Sequence, residues 1–314
     1  MKLSNKWAVI DDKRVPAGKV ATRTLRKRLE AVWRELPVAG SAAHRDRESV
    51  HRLRVATRRA LAAIEAFRDL LPERRAAWFA KRLRRIRRAA GEARDLDVLT
   101  DRLGSAAARA TNAPAPAPSG RARRRLVAML SKQRDVSRQP IREQYERLVE
   151  SDWPGRVERL LDDVPADRRQ PAFGTYALQR FRPMIKRFFA AADHKLRDAE
   201  EMHALRIEGK QLRYAMEIFA AVFPPQVRAR CYEALEQLQN TLGEFTDHAS
   251  AADRFRRWSR EKAAASNREV IERILEEEEA RADQARKVFS RWWNPSRRRS
   301  LRRRFERTLR KASA

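Results

Sequence analysis

Cysteine, glycine, aromatic residues and negative charge are all scarce in this sequence. A single cysteine, Cys231, among 314 residues excludes an internal disulfide framework and any CxxC metal site, and reads as a buried packing residue. No run approaches the roughly 18 consecutive apolar residues of a membrane span. The opening MKLSNKWAVIDDKR lacks the apolar stretch of a secretion signal, so the cytoplasm is the expected location. Aromatics make up 7% and fall mostly on apolar stripes, which argues against a base-stacking surface. No alternating strand pattern and no paired hairpin signal is found.

Acidic residues number 42 against 72 Lys and Arg, leaving a formal net charge of +30. A compact chain with this surplus repels itself unless a polyanion is near. Nucleic acid, anionic lipid, an acidic protein and an inorganic phosphate polymer are the candidates. Arginine accounts for 59 of the basic residues and lysine for 13. A GC-rich coding sequence explains arginine over lysine, but not the excess of both over acids.

The apolar residues recur at helical spacing. Leu25, Leu29, Val32 and Trp33 fall at i, i+4, i+7 and i+8, and Leu53, Ala56, Ala60, Ile64, Phe67 and Leu71 extend the pattern. Leu212, Met216, Phe219 and Val222–Phe223 repeat it, followed by Leu235, Leu238 and Leu242. The predicted fold class is all-α, with long amphipathic helices packed as bundles. The main interruption is NAPAPAPSG at 112–120, where alternating Ala-Pro favours an extended linker. Pro154, Pro165, Pro171, Pro183, Pro224 and Pro225 are expected at other helix boundaries. The expected division is a first helical half at 1–111, the linker, a second half at 121–294 and a basic tail at 295–314.

An internal repeat is the most informative feature. HRLRVATRRALAAIEAFRDLLP from His51 aligns with HALRIEGKQLRYAMEIFAAVFP from His203 at a constant offset of 152. His51 meets His203, Arg54 meets Arg206, Arg58 meets Lys210 and Glu65 meets Glu217. The same register pairs Gly91-Glu92 with Gly243-Glu244 and Asp95 with Asp247. Two helical halves related by pseudo-two-fold symmetry are expected.

On a helix, His203, Arg206, Lys210 and Arg213 share a stripe about 80° wide and roughly 15 Å long. His51, Arg54 and Arg58 form the matching stripe, flanked by Arg59. No acid is interspersed within either stripe to relieve repulsion on a solvated face, Glu208 lying well off the line. An anion facing them is one reading; a solvated face or pairing with acids on another helix is the other. From His51 to Arg94 the chain holds fourteen basic and four acidic residues. Lys81, Arg84, Arg85 and Arg88 share a face there, opposite Phe79, Leu83 and Ile86.

These paired motifs resemble the CHAD domain, the conserved-histidine α-helical domain. The residues that carry the resemblance are His51-x-x-Arg54-x-x-x-Arg58-Arg59 and His203-x-x-Arg206-x-x-x-Lys210-x-x-Arg213-Tyr214. The stretch Gly91-Glu92-Ala93-Arg94-Asp95-Leu96-Asp97-Val98 also matches. The likeness runs from about residue 18 to about 300. It implies two four-helix bundles around a central basic channel that binds inorganic polyphosphate, without catalysis; no cofactor or metal is expected. Granule association or targeting is the expected setting. Leu61 stands where the family often has a further Arg, so the halves are expected to contribute unequally. No ExExK strand of a fused triphosphate-tunnel domain is present, so a stand-alone form is expected.

The resulting candidate contacts are His51, Arg54, Arg58, Arg59, His203, Arg206, Lys210, Arg213 and Tyr214. Lys81, Arg84, Arg85 and Arg88 would extend the path, with Lys186 and Arg187 as outer contributors. Arginine suits such a ligand because its donors match phosphate oxygens in pairs, while lysine supplies a point charge. Non-specific nucleic-acid binding is the rival reading, favoured by the tail SRRRSLRRRFERTLRKASA; lipid is a second partner for that tail, with Trp292-Trp293 as alternative core anchors. A metal-dependent phosphohydrolase is the third, resting on Asp247-His248 and the acids Glu92, Asp95, Asp97 and Glu244. Against it, Gly91 and Gly243 are expected to end helices, with Asp95 and Asp247 capping or pairing nearby. Glu276–Glu279 is expected to pair with Arg281, Arg286 and the tail, or to be solvated.

Overall fold

The computed structural model describes residues 7–41, 47–110, 127–260 and 268–313, apart from positions 9, 11, 129, 132, 166, 168, 195, 197, 220 and 221. The Ala-Pro stretch at 112–120 lies outside the described residues. The chain is all-α: among the described residues the one β-type pairing is an isolated bridge between Pro16 and Ala172. The helices are α1 (Ala17–Gly40), α2 (Arg47–Ala66), α3 (Glu73–Ala110), α4 (Gln139–Glu150) and α5 (Trp153–Asp162). They continue as α6 (Phe173–Asp193), α7 (Ala199–Phe219), α8 (Pro225–Ser259), α9 (Arg268–Trp292) and α10 (Pro295–Ser313).

The apolar periodicity sets the packing. Leu25, Leu29, Val32 and Leu36 of α1 are fully buried, as are Leu53 and Ala60 of α2 and Phe67 just after it. Helices α1, α2, α3 and α4 close into one four-membered ring, and α6, α7, α8 and α10 close into another. Helices α2 and α7 begin 152 residues apart, and so do α3 and α8, which is the offset of the sequence repeat. The rings join where α2 meets α7 and α1 meets α6. The equivalent residues Phe67 and Phe219 touch edge to face there, with ring centroids 6.2 Å apart. A small second core forms from Leu96, Leu99, Phe255, Trp258, Ile271 and Ile274, at the far ends of α3 and α8 against α9.

Four expectations need correction. Helix α4 follows the Ala-Pro stretch yet packs on α1 and α3, so the first ring draws on both sides of 112–120. Buried Ile141 and Leu148 fill an apolar face that three helices leave open. The 295–314 segment is no free tail over its described part. It forms α10, whose Leu301, Phe305 and Thr308 are buried, and Phe305 packs against Phe181 and Phe189. Pro183 lies inside α6. An interior proline costs about 3 kcal/mol, but burying Phe181, Ile185 and Phe188 around it returns roughly 1.5–3 kcal/mol each. Finally, Gly91 and Gly243 lie within α3 and α8 and end neither.

Gly209 explains how closely α7 approaches α8. A side chain there would collide with the Gln239 amide and crowd Leu238 and Phe188. The Gln239 amide donates instead to the Arg206 carbonyl at 3.2 Å. This contact sets the depth at which α7 presents its basic stripe.

Candidate functional site

The two motif helices face a shared space. A cavity of about 470 Å³ is walled by His51, Arg54 and Arg58 of α2 and by Arg206 and Lys210 of α7. Helix α3 adds Arg94 and Asp95; α8 adds Asp247, Asp253, Arg254 and Arg257. A second cavity of about 460 Å³ is lined by Arg84 and Arg87 of α3, Arg187 of α6, Glu65 and Tyr214. Arg58 and Lys210 line both cavities, so the two adjoin at a basic residue from each motif. Along α3 the wall from Arg84 to Arg94 spans roughly 15 Å by helical rise.

Few carboxylates answer these cations. Arg206 donates to Asp247 at 3.4 Å, and Arg254 to Glu92 at 3.3 Å. Arg54 donates to the backbone carbonyl of Arg87 at 3.2 Å, beside Gly91, where a side chain would reach the guanidinium. Arg187 lies 3.6 Å from Glu208. Arg58, Arg84, Arg87, Arg94 and Lys210 make no ion pair among the described residues.

The electrostatic cost shows in the protonation equilibria. Burial, reinforced by Arg58, pushes the Arg54 guanidinium down to about 10. Burial also lowers Arg87 and Arg206, with Arg58 adding repulsion at both. Burial together with Arg206 and Arg58 pushes the Lys210 ammonium down to about 7. Burial and Arg94 lower the His51 imidazolium. Removing these charges from water disfavours the charged forms, and Asp95 beside Arg54 and Asp247 beside Arg206 and Lys210 offset this only in part. An anion in the cavity reverses that effect.

Several predicted contacts serve elsewhere. Arg59 donates to Glu217 at 2.8 Å and 3.3 Å, across the two rings. Arg213 donates to the Tyr232 hydroxyl at 2.6 Å, and that hydroxyl donates to Glu217 at 3.0 Å. Buried Arg28 approaches the same carboxylate at 4.0 Å. Adjacent helix positions point about 100° apart, which is why Arg58 lines the cavity while Arg59 turns to the Glu217 node. His203, Lys81, Arg85, Arg88 and Lys186 are exposed and line neither cavity.

Arg87, Arg94, Arg254 and Arg257 escaped the sequence reading. For α3 a signal existed: Arg84, Arg87, Gly91, Arg94 and Asp95 follow i, i+3, i+7, i+10 and i+11 spacing, and Gly91 and Asp95 are repeat-matched. Arg254 and Arg257 lie on α8 beyond the motif, where spacing alone does not single them out.

The acidic residues also settle into roles. Asp247 pairs with Arg206, and His248 pairs through Nδ1 with buried Glu278 at 2.6 Å. Arg281 contacts Glu277 and Glu278, and Arg256 contacts Glu279, so partners of the 276–279 run come from α8 and α9. Arg286 pairs with Asp283. Cys231 is buried, with its thiol pushed up to about 11 by burial. Among the described residues no three His, Cys, Asp or Glu side chains converge as a metal-ligand set. No described helix is long and apolar enough to cross a membrane.

Comparison with known proteins agrees with the architecture. The CHAD domain family model matches residues 23–256. The crystal structure of the CHAD domain from the plant Ricinus communis superimposes with a TM-score of 0.70 at 19% identity, covering 96% of this chain and 95% of that one. PptA from Streptomyces chartreusis superimposes with a TM-score of 0.56 at 18% identity, covering 88% of this chain and 99% of that one. At these identities the likeness is one of fold. No curated protein sequence matches this chain.

Proposed function

The chain belongs to the CHAD domain family, and we propose that it binds inorganic polyphosphate in the path between the two motif helices. The observation that carries this reading is the junction of two cavities at Arg58 and Lys210, neither of which has an acidic partner among the described residues. Each internal phosphate carries about one negative charge and no base edge, so recognition rests on charge and hydrogen bonding. Arg54, Arg58, Arg206 and Lys210 hold the middle of the chain. Arg94, Arg254 and Arg257 receive one end of the bound segment, and Arg84, Arg87 and Arg187 the other. The activity is binding rather than catalysis, and it suits attachment to polyphosphate granules.

Nucleic acid fits this path less well. Stacking needs exposed rings, and Tyr214, the aromatic in the wall of the second cavity, is 6% exposed. A competition at about 150 mM salt, where weak surface contacts are screened, tests the choice. Long-chain polyphosphate, single-stranded RNA and duplex DNA are compared at equal phosphate concentration. At least tenfold preference for polyphosphate is expected; equal affinity for all three contradicts the reading.

A further inference from the structure

In a chain with 59 arginines and 13 lysines, the two cavities meet at one of each. The repeat places Arg58 and Lys210 at equivalent positions. One half therefore presents a guanidinium where the other presents a primary amine. The distinction is chemical. Arginine keeps its charge, whereas a lysine amine freed of its proton is a nucleophile. Lys210 makes no ion pair among the described residues, and Asp247, whose charge acts on it, is engaged by Arg206 at 3.4 Å.

We propose that Lys210 is an acylation site for small acyl phosphates, whose phosphate is seated by Arg54, Arg58 and Arg206 while the Lys210 Nζ faces the acyl carbon. The Nζ lone pair forms the new N–C bond. The C–O bond to phosphate breaks, inorganic phosphate leaves with that electron pair, and the surplus amine proton passes to phosphate or water. The product is a neutral amide, so the junction loses a positive charge and its hold on a polyanion weakens. The level of acyl phosphate thereby sets how readily the channel fills.

The protonation state supports the step. With its ammonium pushed down to about 7 by burial, Arg206 and Arg58, about half of Lys210 is free amine at pH 7, against less than roughly one part in a thousand for an ordinary lysine. Asp247 acts in the opposite sense and Arg213 in the same sense. The cavity of about 470 Å³ has room for acetyl phosphate.

The inference rests on reading the channel as a phosphate site, and the test separates the two. The intact protein is treated with acetyl phosphate at pH 7.5, with and without long-chain polyphosphate, and acetylation is timed at each lysine by mass spectrometry. Lys210 is expected to react at least tenfold faster than exposed Lys19 and Lys81, and its lead should shrink in a folded Arg58→Gln, Arg206→Gln variant. Polyphosphate is expected to slow Lys210 alone. Labelling of Lys210 no faster than Lys19 and Lys81 overturns the proposal. Selective labelling that polyphosphate leaves untouched upholds the reactive lysine and counts against polyphosphate as the occupant.

Discussion

Two basic clusters that draw on the same motif helices have opposite characters. At the Glu217 node, Arg28, Arg59 and Arg213 converge on one carboxylate and the Tyr232 hydroxyl, and Glu217 is 1% exposed. Where the two cavities adjoin, one residue from Arg59 along α2 and three from Arg213 along α7, Arg58 and Lys210 have no such partner among the described residues. The first cluster is closed, joins the rings and serves stability. The second lies half-buried on the cavity walls, and among the described residues no carboxylate forms an ion pair with either member. The repeat-matched acid shows the same divide: Glu65 is exposed on the rim of the second cavity, while its counterpart Glu217 is buried.

The comparison can be broken first at the node. Glu217→Gln removes the buried carboxylate on which Arg28, Arg59 and Arg213 converge, and the expected loss is about 3–5 kcal/mol, read as a lowered denaturation midpoint in urea. A loss under 1 kcal/mol would dissolve the distinction between the clusters.

The next effect is on pH. Lys210 titrates near 7 in the folded protein and near 10.4 when unfolded, so between those values the unfolded chain holds more protons. Stability of the ligand-free protein should therefore rise as pH increases through that window. Polyphosphate affinity should move the other way, falling about tenfold from pH 6 to pH 8.5 as the channel amine loses its proton; the lowered His51 acts in the same direction. Calorimetric titration at both pH values checks the second trend and urea denaturation the first. Parallel trends in both would contradict the open-cluster account.

The smallest effect sharpens the boundary of the site. Lys81→Glu, Arg85→Glu and Arg88→Glu together reverse three exposed charges outside both cavities, and affinity at about 150 mM salt is expected to fall less than threefold. A larger loss would place the path along the outer face of α3.

Much of this was legible in the sequence because a helix turns spacing into direction. The stripes through Arg54–Arg58 and Arg206–Lys210 follow from helical pitch alone, and the offset of 152 anticipated which helices correspond. Other features needed the third dimension. Arg59 and Arg213 carry the same charge as their neighbours, and only the position of Glu217 shows that they serve a structural node. The completion of the first ring by α4 depends on which apolar face was open, which no local pattern states. Proline at 183 reads as a break until the burial around it is known.

The most direct test is calorimetric titration of long-chain polyphosphate into wild type and into Arg54→Glu, Arg206→Glu at about 150 mM salt, with circular dichroism to confirm that both fold. Reversing two charges inside the path should weaken binding at least a hundredfold, on the order of 2.7 kcal/mol, with the helical signal intact. A folded double variant that binds within threefold of wild type would place polyphosphate elsewhere on the surface and contradict the channel.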